Sequence, residues 1–258
     1  MKTIHSSDLT RRIINEAAKL QKKKFRTLNG RSLIEGLLPL EEAARSAYRV
    51  HEIFYNPFLL DKPGVRELIA GLQERDQTAC YEVGGRELKE LSSEVTPQGI
   101  VATADQRQFD ISDLKGSILV LDQLQDPGNV GTLFRIAHWF GLGGILLMKD
   151  CVDASNPKVI RGSMGSFFHI PFITEEELPE ALLKDRTLIL TKAHAGTGIP
   201  EIPKEKPFLL VIGNEARGVS PEFDMYPHLD LSLPRLGGAE SLNAAVAAAA
   251  ILSKILYS

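Results

Sequence analysis

The stretch from Gly213 to Ser220 contains the first residues whose types and spacing could do chemistry. Gly213 and Gly218 follow the apolar run PFLLVI with nearly the spacing of a phosphate-binding loop, G-x-x-x-x-G-K-[ST]. However, Val219 replaces the lysine that would contact phosphate, and Glu215 places a carboxylate within the loop. The stretch therefore favours a cationic ligand, or one held by main-chain groups, over a triphosphate. A strand-to-helix turn without a ligand is the alternative.

Two further loops carry polar residues between an apolar run and a helix. The segment DPGNVGTLFR contains Asn129, which we expect to cap the following helix, and ends in Arg135. The segment PRLGGAESLN precedes an alanine-rich helix that we expect to start at Glu240 or Ser241. The free amides of that helix start favour a carboxylate or phosphate. A surface arginine and a well-capped core helix are the corresponding alternatives without a ligand.

Together the three segments resemble, in order and spacing, the motifs of the SpoU (TrmH-like) RNA 2′-O-ribose methyltransferases of the SPOUT superfamily. The family patterns are DPxNxGxxxR, GxExxG and PxxGxxxSLN, and this chain has DPGNVGTLFR, GNEARG and PRLGGAESLN without a gap. The segment KVIRGSMGSFFHIP resembles the arginine–serine–glycine stretch of the family. One departure is Ile136, where family members often have threonine.

The resemblance implies methyl transfer from S-adenosylmethionine to a ribose 2′-hydroxyl of RNA, ribosomal rather than transfer RNA, without a metal. It implies that Arg135 stabilises the developing alkoxide and holds the adjacent phosphate. Whether Glu215 faces the ligand or braces the fold stays open, and His194 is a candidate loop contact to the cofactor. A non-catalytic RNA-binding or ribosome-assembly factor is the alternative function. The implied catalytic residues are Asn129, Arg135, Glu215, Ser241 and Asn243, and the implied cofactor-binding residues are Gly213, Asn214, Gly218, Leu233 and Leu242.

Six apolar runs must position these loops. The runs SILVLDQL, GILLMKD, FFHIPFI, TLILTKA, PFLLVIG and LDLSLP are too continuous for a half-exposed sheet and predict buried parallel strands between helices. Ligands bind at the carboxyl ends of such strands, and the three motifs follow the first, fifth and sixth runs. The resemblance adds a deep trefoil knot and a homodimer formed through the knotted domains. We expect Trp139, on the helix after the first motif, to be a packing residue.

The first 100 residues or so alternate between helix and strand patterns, which predicts a separate small α/β domain. Residues 19–40, with Glu35 and Gly36, resemble the ribosomal-protein-like substrate-binding domain of the family. We therefore expect an RNA-binding domain at 1–104, a linker at 105–116 and a methyltransferase domain at 117–258.

The first 31 residues contain nine lysines and arginines but two acidic residues, although the chain as a whole has a formal net charge of −3. They predict a helix with its N-cap at Ser6, Ser7 or Asp8. A basic helix on an acidic body is typical of a phosphate-binding arm, and a solvated surface helix is the alternative. The candidate RNA-binding residues are Lys22, Lys23, Lys24 and Arg26.

The remaining composition indicates a cytoplasmic protein. The two cysteines, Cys80 and Cys151, are too far apart for a zinc or redox motif and are expected to be reduced. The N-terminal residues lack the apolar segment of a secretory signal, and no apolar run approaches the length of a membrane span.

Overall fold

The computed structural model describes residues 3–192, 206–238 and 240–257, so His194 lies outside the described residues. The chain divides into two compact units. The first comprises residues 1–107 and 153–169, and the second comprises residues 108–152 and 170–258. Within the described ranges, no helix is long and apolar enough to cross a membrane.

The strands form one sheet in each unit, as the apolar and alternating patterns predicted. In the first unit the order is β1-β4-β2-β3, with β4 antiparallel to both β1 and β2, and β2 parallel to β3. In the second unit the order is β10-β8-β9-β5-β6-β7, and every pair is parallel. The strands are β1 (Arg31–Glu35), β2 (Val50–Tyr55), β3 (Ala79–Glu82), β4 (Ile100–Asp105), β5 (Ile118–Leu121), β6 (Ile145–Met148), β7 (Phe172–Glu175), β8 (Thr187–Thr191), β9 (Phe208–Ile212) and β10 (Leu229–Leu231).

The helices follow the amphipathic segments between these strands. They are α1 (Arg11–Lys19), α2 (Lys23–Asn29), α3 (Leu37–Ala44), α4 (Val65–Asp76), α5 (Gly85–Leu91), α6 (Pro127–Trp139), α7 (Pro157–Gly162), α8 (Glu180–Leu183) and α9 (Ala244–Tyr257). Short 3-10 turns occupy Pro57–Asp61, Ile111–Asp113, Ser166–Phe168 and Pro221–Met225.

The first helix begins later than the sequence predicted. Its N-cap is Thr10, whose hydroxyl accepts a hydrogen bond from the Ile13 amide, and not one of the three residues Ser6 to Asp8. Ser6 instead forms a bridge with Cys80, and the Ser7 amide donates to the Cys80 carbonyl. The segment before α1 is therefore extended beside β3, because its backbone groups bond to that strand.

The predicted strand FFHIPFI is shorter than expected. Phe167 and Phe168 lie in a 3-10 turn, and β7 begins at Phe172. Both rings pack on Tyr48 of the first unit, with ring centroids 5.9 and 5.1 Å away. An apolar run identifies burial but does not show which core it enters, which explains the error.

In the second unit the strands are buried as predicted. The core cluster includes Val120 of β5 and Val211 of β9, both fully buried. Because β5 and β9 are neighbours in register, the loops that follow them begin side by side at one edge of the sheet. This pairing places the first and second motifs together.

Candidate active site

The helix that carries the first motif is capped by Asp126 rather than by Asn129. The Asp126 carboxylate accepts a hydrogen bond of 2.7 Å from the Asn129 amide, and Pro127 occupies the first turn of α6. Proline suits that position because its missing N–H would have no helical partner there. The expectation for Asn129 is wrong in this respect, and the Asn129 side chain is left available for other partners.

The second motif folds into a tight loop at the end of β9. The Asn214 and Gly218 backbones exchange hydrogen bonds of 3.0 and 2.8 Å, and the Asn214 side chain accepts from the amides of Ala216 and Arg217. A Cβ atom on Gly213 would lie 2.3 Å from the Gly218 carbonyl, and Gly218 has a φ of +74°. Both positions therefore need glycine to close the loop on itself.

Two residues that the sequence analysis missed anchor this loop to the end of β5. The buried Asp122 carboxylate accepts a 2.7 Å hydrogen bond from the Ser220 amide. The Gln123 carbonyl accepts from the Asn214 side chain at 2.9 Å, and the Gln123 side chain donates to the Ser220 hydroxyl at 2.9 Å. Gln123 adopts a φ of +54°, a strained conformation for a residue with a side chain. The sequence signal that could have identified Asp122 is an acidic residue directly after an apolar strand.

A chain of side-chain hydrogen bonds joins all three motifs. The Asn129 amide nitrogen donates to Glu215 Oε1 at 2.5 Å, and the Asn243 amide nitrogen donates to Asn129 Oδ1 at 2.8 Å. The Asn243 oxygen then accepts from the Ala245 and Val246 amides. Asn129 therefore connects a residue of the second motif with a residue of the third.

The last helix begins at Ala244, so the predicted start at Glu240 or Ser241 is too early. Asn243 caps it, because its side chain reaches the free amides of the first turn. Leu242 is 53% exposed, whereas Leu233 is half-buried. The structure thus brings Asn243 to the other motifs but shows no side-chain hydrogen bond of Ser241 within the described ranges.

Arg135, the last residue of the first motif, is an exposed cation. It lies on α6, two turns after Asn129, and its side chain is exposed. In residues 3–192, 206–238 and 240–257, its guanidinium has neither a carboxylate nor a carbonyl partner. An exposed guanidinium without such partners is available to a ligand.

The opposite side of α6 packs into the sheet. Val130, Leu133 and Phe134 are fully buried, whereas Trp139 is 80% exposed. The expectation that Trp139 packs in the core is wrong, because the helical repeat places it on the outer face.

The four candidate RNA-binding residues separate into two classes. Lys22, Lys23 and Lys24 are exposed at the start of α2. Arg26 is only 2% exposed and forms an ion pair with Asp153, whose side chain is 19% exposed. Its guanidinium also donates to the carbonyls of Leu20 and Gln21 and to the Ser155 hydroxyl. Arg26 is therefore a structural residue of the first unit, and its assignment to RNA is corrected.

The thiol of Cys151, near the first motif, has low reactivity. The Cys151 sulfur accepts from the Leu124 amide at 3.3 Å and donates to the Leu121 carbonyl at 3.1 Å. Burial raises the pKa of the Cys151 thiol to about 11, so the thiol keeps its proton at neutral pH. Among the described residues, no group of three or more histidine, cysteine, aspartate or glutamate side chains is placed to hold a metal.

Comparison with known proteins connects this geometry to a family. Residues 116–253 match the model of the SpoU rRNA Methylase family, and residues 11–102 match the MRM3-like substrate binding domain. The 23S rRNA (guanosine(2553)-2′-O)-methyltransferase RlmP of Bacillus subtilis (strain 168) is 34% identical over 244 residues, covering 93% of this chain and 94% of the relative. The 23S rRNA (uridine(2479)-2′-O)-methyltransferase of Streptomyces viridochromogenes is 28% identical over 268 residues, covering 94% and 90%.

Solved structures agree with this result. The SpoU methyltransferase AviRb from Streptomyces viridochromogenes, in complex with the cofactor AdoMet, has a TM-score of 0.83 and 25% identity over 96% of this chain and 98% of its own. An AdoMet-bound rRNA methyltransferase from Sinorhizobium meliloti has a TM-score of 0.82 and 26% identity, covering 96% and 95%. A family model that matches more than half of the chain, together with relatives that match almost all of it, shows that this protein belongs to the SpoU rRNA methylase family.

Proposed function

We propose that this protein transfers a methyl group from S-adenosylmethionine to the 2′-hydroxyl of a ribose in ribosomal RNA. The observation that carries the proposal is the meeting of three motifs at Asn129, which bonds to both Glu215 and Asn243 and shares α6 with the exposed Arg135. The relatives RlmP and the Streptomyces enzyme are named for 2′-O-methylation of 23S rRNA. The match to a substrate-binding domain in the first unit supports an RNA substrate.

The residues present fit a cofactor that carries a sulfonium. Glu215 bears a carboxylate whose described side-chain partner is a neutral amide, so its negative charge is compatible with a nearby cation. No Cβ contact closes the space at Gly218, which leaves the loop backbone accessible. We assign cofactor binding to main-chain groups of Gly213, Leu233 and Leu242, with Asn214 and Gly218 in the same loop. When bound, S-adenosylmethionine supplies an electrophilic methyl group.

Arg135 would act on the nucleophile. A ribose 2′-hydroxyl is a weak nucleophile until its proton passes to solvent water, and negative charge then develops on the oxygen. A guanidinium stays protonated in proteins and is a poor general base. Its planar donors instead suit an alkoxide and a neighbouring phosphate, and we assign both contacts to Arg135.

The hydrogen-bonded residues would position this chemistry. Asn129, Ser241 and Asn243 would orient the ribose. We assign Glu215 to bracing, because one of its oxygens accepts from the Asn129 amide nitrogen and thereby sets which way that amide points. The opposite end of the same amide then faces Asn243.

The assembly and location of the protein are further parts of the proposal. We infer a homodimer formed through the second unit, supported by the exposed Trp139 of α6 and by Val246 and Tyr257 of α9, which are 55% and 75% exposed. The two helices pack together, since the Phe140 and Tyr257 ring centroids are 6.2 Å apart. Family membership supports the trefoil knot and a cytoplasmic location. The domain limits at 1–104, 105–116 and 117–258, and RNA contact by Lys22, Lys23 and Lys24, stay predictions.

The proposal is tested by calorimetry with S-adenosylmethionine, followed by transfer of a labelled methyl group to an unmodified 23S rRNA transcript. Digestion to nucleosides identifies the product. We expect cofactor binding and a labelled 2′-O-methyl nucleoside. Label on a base would contradict the reaction class. RNA binding without label transfer would favour the alternative, a non-catalytic ribosome-assembly factor.

A further inference from the structure

Three loops at one edge of the sheet in the first unit expose apolar side chains to solvent. Phe58 is 83% exposed, Val95 is 92% exposed and Leu38 is 39% exposed. Large exposed apolar side chains that share one edge differ from singly scattered ones, because a shared surface is typical of a binding site. We call the loops 36–38, 56–59 and 92–99 the apolar edge.

Hydrogen bonds and close contacts hold these loops side by side. The Gly36 amide donates to the Ile100 carbonyl, and a Cβ on Gly36 would lie 2.8 Å from Gln98 Oε1. The Asn56 amide donates to the Gly99 carbonyl at 2.8 Å. The stretch from Gln98 to Ile100 therefore contacts both of the other loops, and the three loops form one surface.

The Phe58 ring is presented on a rigid support. Asn56 accepts from the Phe58 amide at 3.1 Å and begins a 3-10 turn with Pro57 at its start. The next side chain, Leu59, is 7% exposed and lies against Gly99, where a Cβ would meet it at 3.0 Å. Since its neighbour is anchored and its own amide is capped, Phe58 is held outward rather than left loose.

The second part of the apolar edge is anchored by charge. The buried Glu35 carboxylate accepts from the Ser93 amide at 2.9 Å and pairs with Arg161 at 2.7 Å. Arg161 also pairs with Glu94 at 2.9 Å, so its single guanidinium joins two carboxylates next to Val95. The loop is thus fixed by two ion pairs to one arginine, and the cluster keeps one negative charge.

Uncompensated positive charge lies next to the same loop. The Gln21 side chain donates to the Glu90 carbonyl at 3.0 Å, which places the turn at Lys22–Lys24 beside the end of α5 that leads into residues 92–99. These lysines are exposed, and none forms an ion pair within the described part of the chain. The apolar edge thus combines one exposed aromatic ring, Phe58, with lysines next to its loop 92–99, and the two match RNA, in which bases offer stacking surfaces and phosphates offer negative charge.

We propose that the apolar edge binds an unpaired loop of the RNA substrate, with one base stacked on the Phe58 ring. The phosphates of the same RNA segment would lie towards Lys22–Lys24. This inference rests on the proposed function, and it adds the kind of RNA that the first unit takes: single-stranded nucleotides rather than a regular duplex. A flat aromatic ring suits an unstacked base, whereas the base edges of an A-form duplex are less accessible to stacking.

The test compares Phe58→Ala, Phe58→Trp and the control Met225→Ala in the full-length protein. Met225 is 77% exposed on a 3-10 turn of the second unit, so it matches Phe58 in exposure but not in location. Binding is measured with the unmodified 23S rRNA transcript at fixed salt, alongside cofactor affinity and thermal unfolding. We expect Phe58→Ala to weaken RNA binding by about 5- to 100-fold, and Phe58→Trp to retain it.

Cofactor affinity and the unfolding temperature should not change in any of the three variants, because each side chain is exposed. RNA binding by Phe58→Ala that equals the wild type would overturn the inference, as would a Phe58→Trp variant as weak as Phe58→Ala. The result for Phe58 can be distinguished from a failure of the proposed function. A wild-type protein that transfers no methyl group contradicts that function, while the binding measurement still decides the role of Phe58.

Discussion

Arg26 and Arg135 are the two arginines that the sequence assigned to RNA, and the structure places them in opposite situations. Arg26 is 2% exposed, and its donors bond to Asp153, Ser155 and two main-chain carbonyls. Arg135 is exposed on α6 and has no partner among the described residues. A guanidinium whose donors are already bonded stabilises the fold, whereas one that is left open can bind an incoming anion.

Other residues of the candidate site likewise divide into side chains that are hydrogen-bonded within the protein and side chains that are open. Asn129, Glu215 and Asn243 bond to one another, and Asn214 is bonded to its own loop and to Gln123. These side chains are therefore held in place by one another and by the loops that carry them. Arg135 is exposed and has no partner among the described residues, so under the proposed function its donors are open to a group on which charge develops in the transition state.

The largest effect is expected for Arg135→Ala. This change should lower methyl transfer by about 1,000-fold, because the alkoxide loses its charged donors. S-adenosylmethionine affinity measured by calorimetry should stay within about twofold, since the hydrogen bonds of the second motif do not involve Arg135. Arg135→Lys, which keeps the charge but loses the planar fork, should recover only part of the rate. Near-normal turnover by Arg135→Ala would refute its assignment.

For Arg26→Met we expect a loss of stability rather than of catalysis, because the Asp153 carboxylate loses its ion-pair partner. Chemical denaturation should show a loss of about 1–3 kcal/mol in the free energy of unfolding, because Asp153 loses its charged partner but is partly exposed and keeps hydrogen bonds from Ser155. The matched variant Lys22→Gln/Lys23→Gln/Lys24→Gln should unfold like the wild type but bind RNA with a weaker dependence on salt. An Arg26→Met protein that is as stable as the wild type but binds RNA poorly would show that Arg26 contacts RNA and is not a structural residue.

A comparable effect tests the bond between the first and second motifs. Asn129→Asp places a second carboxylate against Glu215 and should reduce cofactor affinity and stability by about 1–3 kcal/mol. In the double variant Asn129→Asp/Glu215→Gln the donor and acceptor exchange sides, and Asn243 can still donate to residue 129. We expect the double variant to recover most of the loss in cofactor affinity. Additive losses in calorimetry would show that the two side chains do not act as a pair.

The smallest effect concerns Cys151, whose sulfur is already engaged by main-chain groups. Because burial raises its thiol pKa to about 11, the reactive thiolate is scarce below that pH. Alkylation by iodoacetamide at pH 8 should therefore be at least about 100-fold slower than in the unfolded chain, where the thiol titrates at its ordinary value. Rapid labelling of Cys151 in the folded protein, followed by mass spectrometry, would contradict this burial.

The sequence predicted the strands well because the strands of a parallel sheet are continuous apolar runs, and five of the six runs in the second half correspond directly to strands. The sequence-based prediction was less accurate where two neighbouring residues are both suited to cap the same helix. Asp126 and Asn129 are both good helix caps, and the proline after Asp126 decides between them. The capping preference alone could not choose.

Long-range contacts could not be predicted from local pattern. Arg26 is buried by Asp153, a residue 127 positions away, and nothing in the basic stretch around Arg26 indicates that partner. The positive φ of Gln123 likewise has no sequence signature, since glutamine seldom adopts it. The motifs identified which residues matter in the second unit, and the structure shows which of them are bonded and which are open.

The most direct test of the account is a map of 2′-O-methylation in ribosomal RNA from cells that lack this protein. The map is repeated after complementation with the wild type and with Arg135→Ala. We predict that one 2′-O-methyl group disappears from the RNA of the deficient cells, returns with the wild type and stays absent with Arg135→Ala. An unchanged map in the deficient cells, or restoration by Arg135→Ala, would contradict the account.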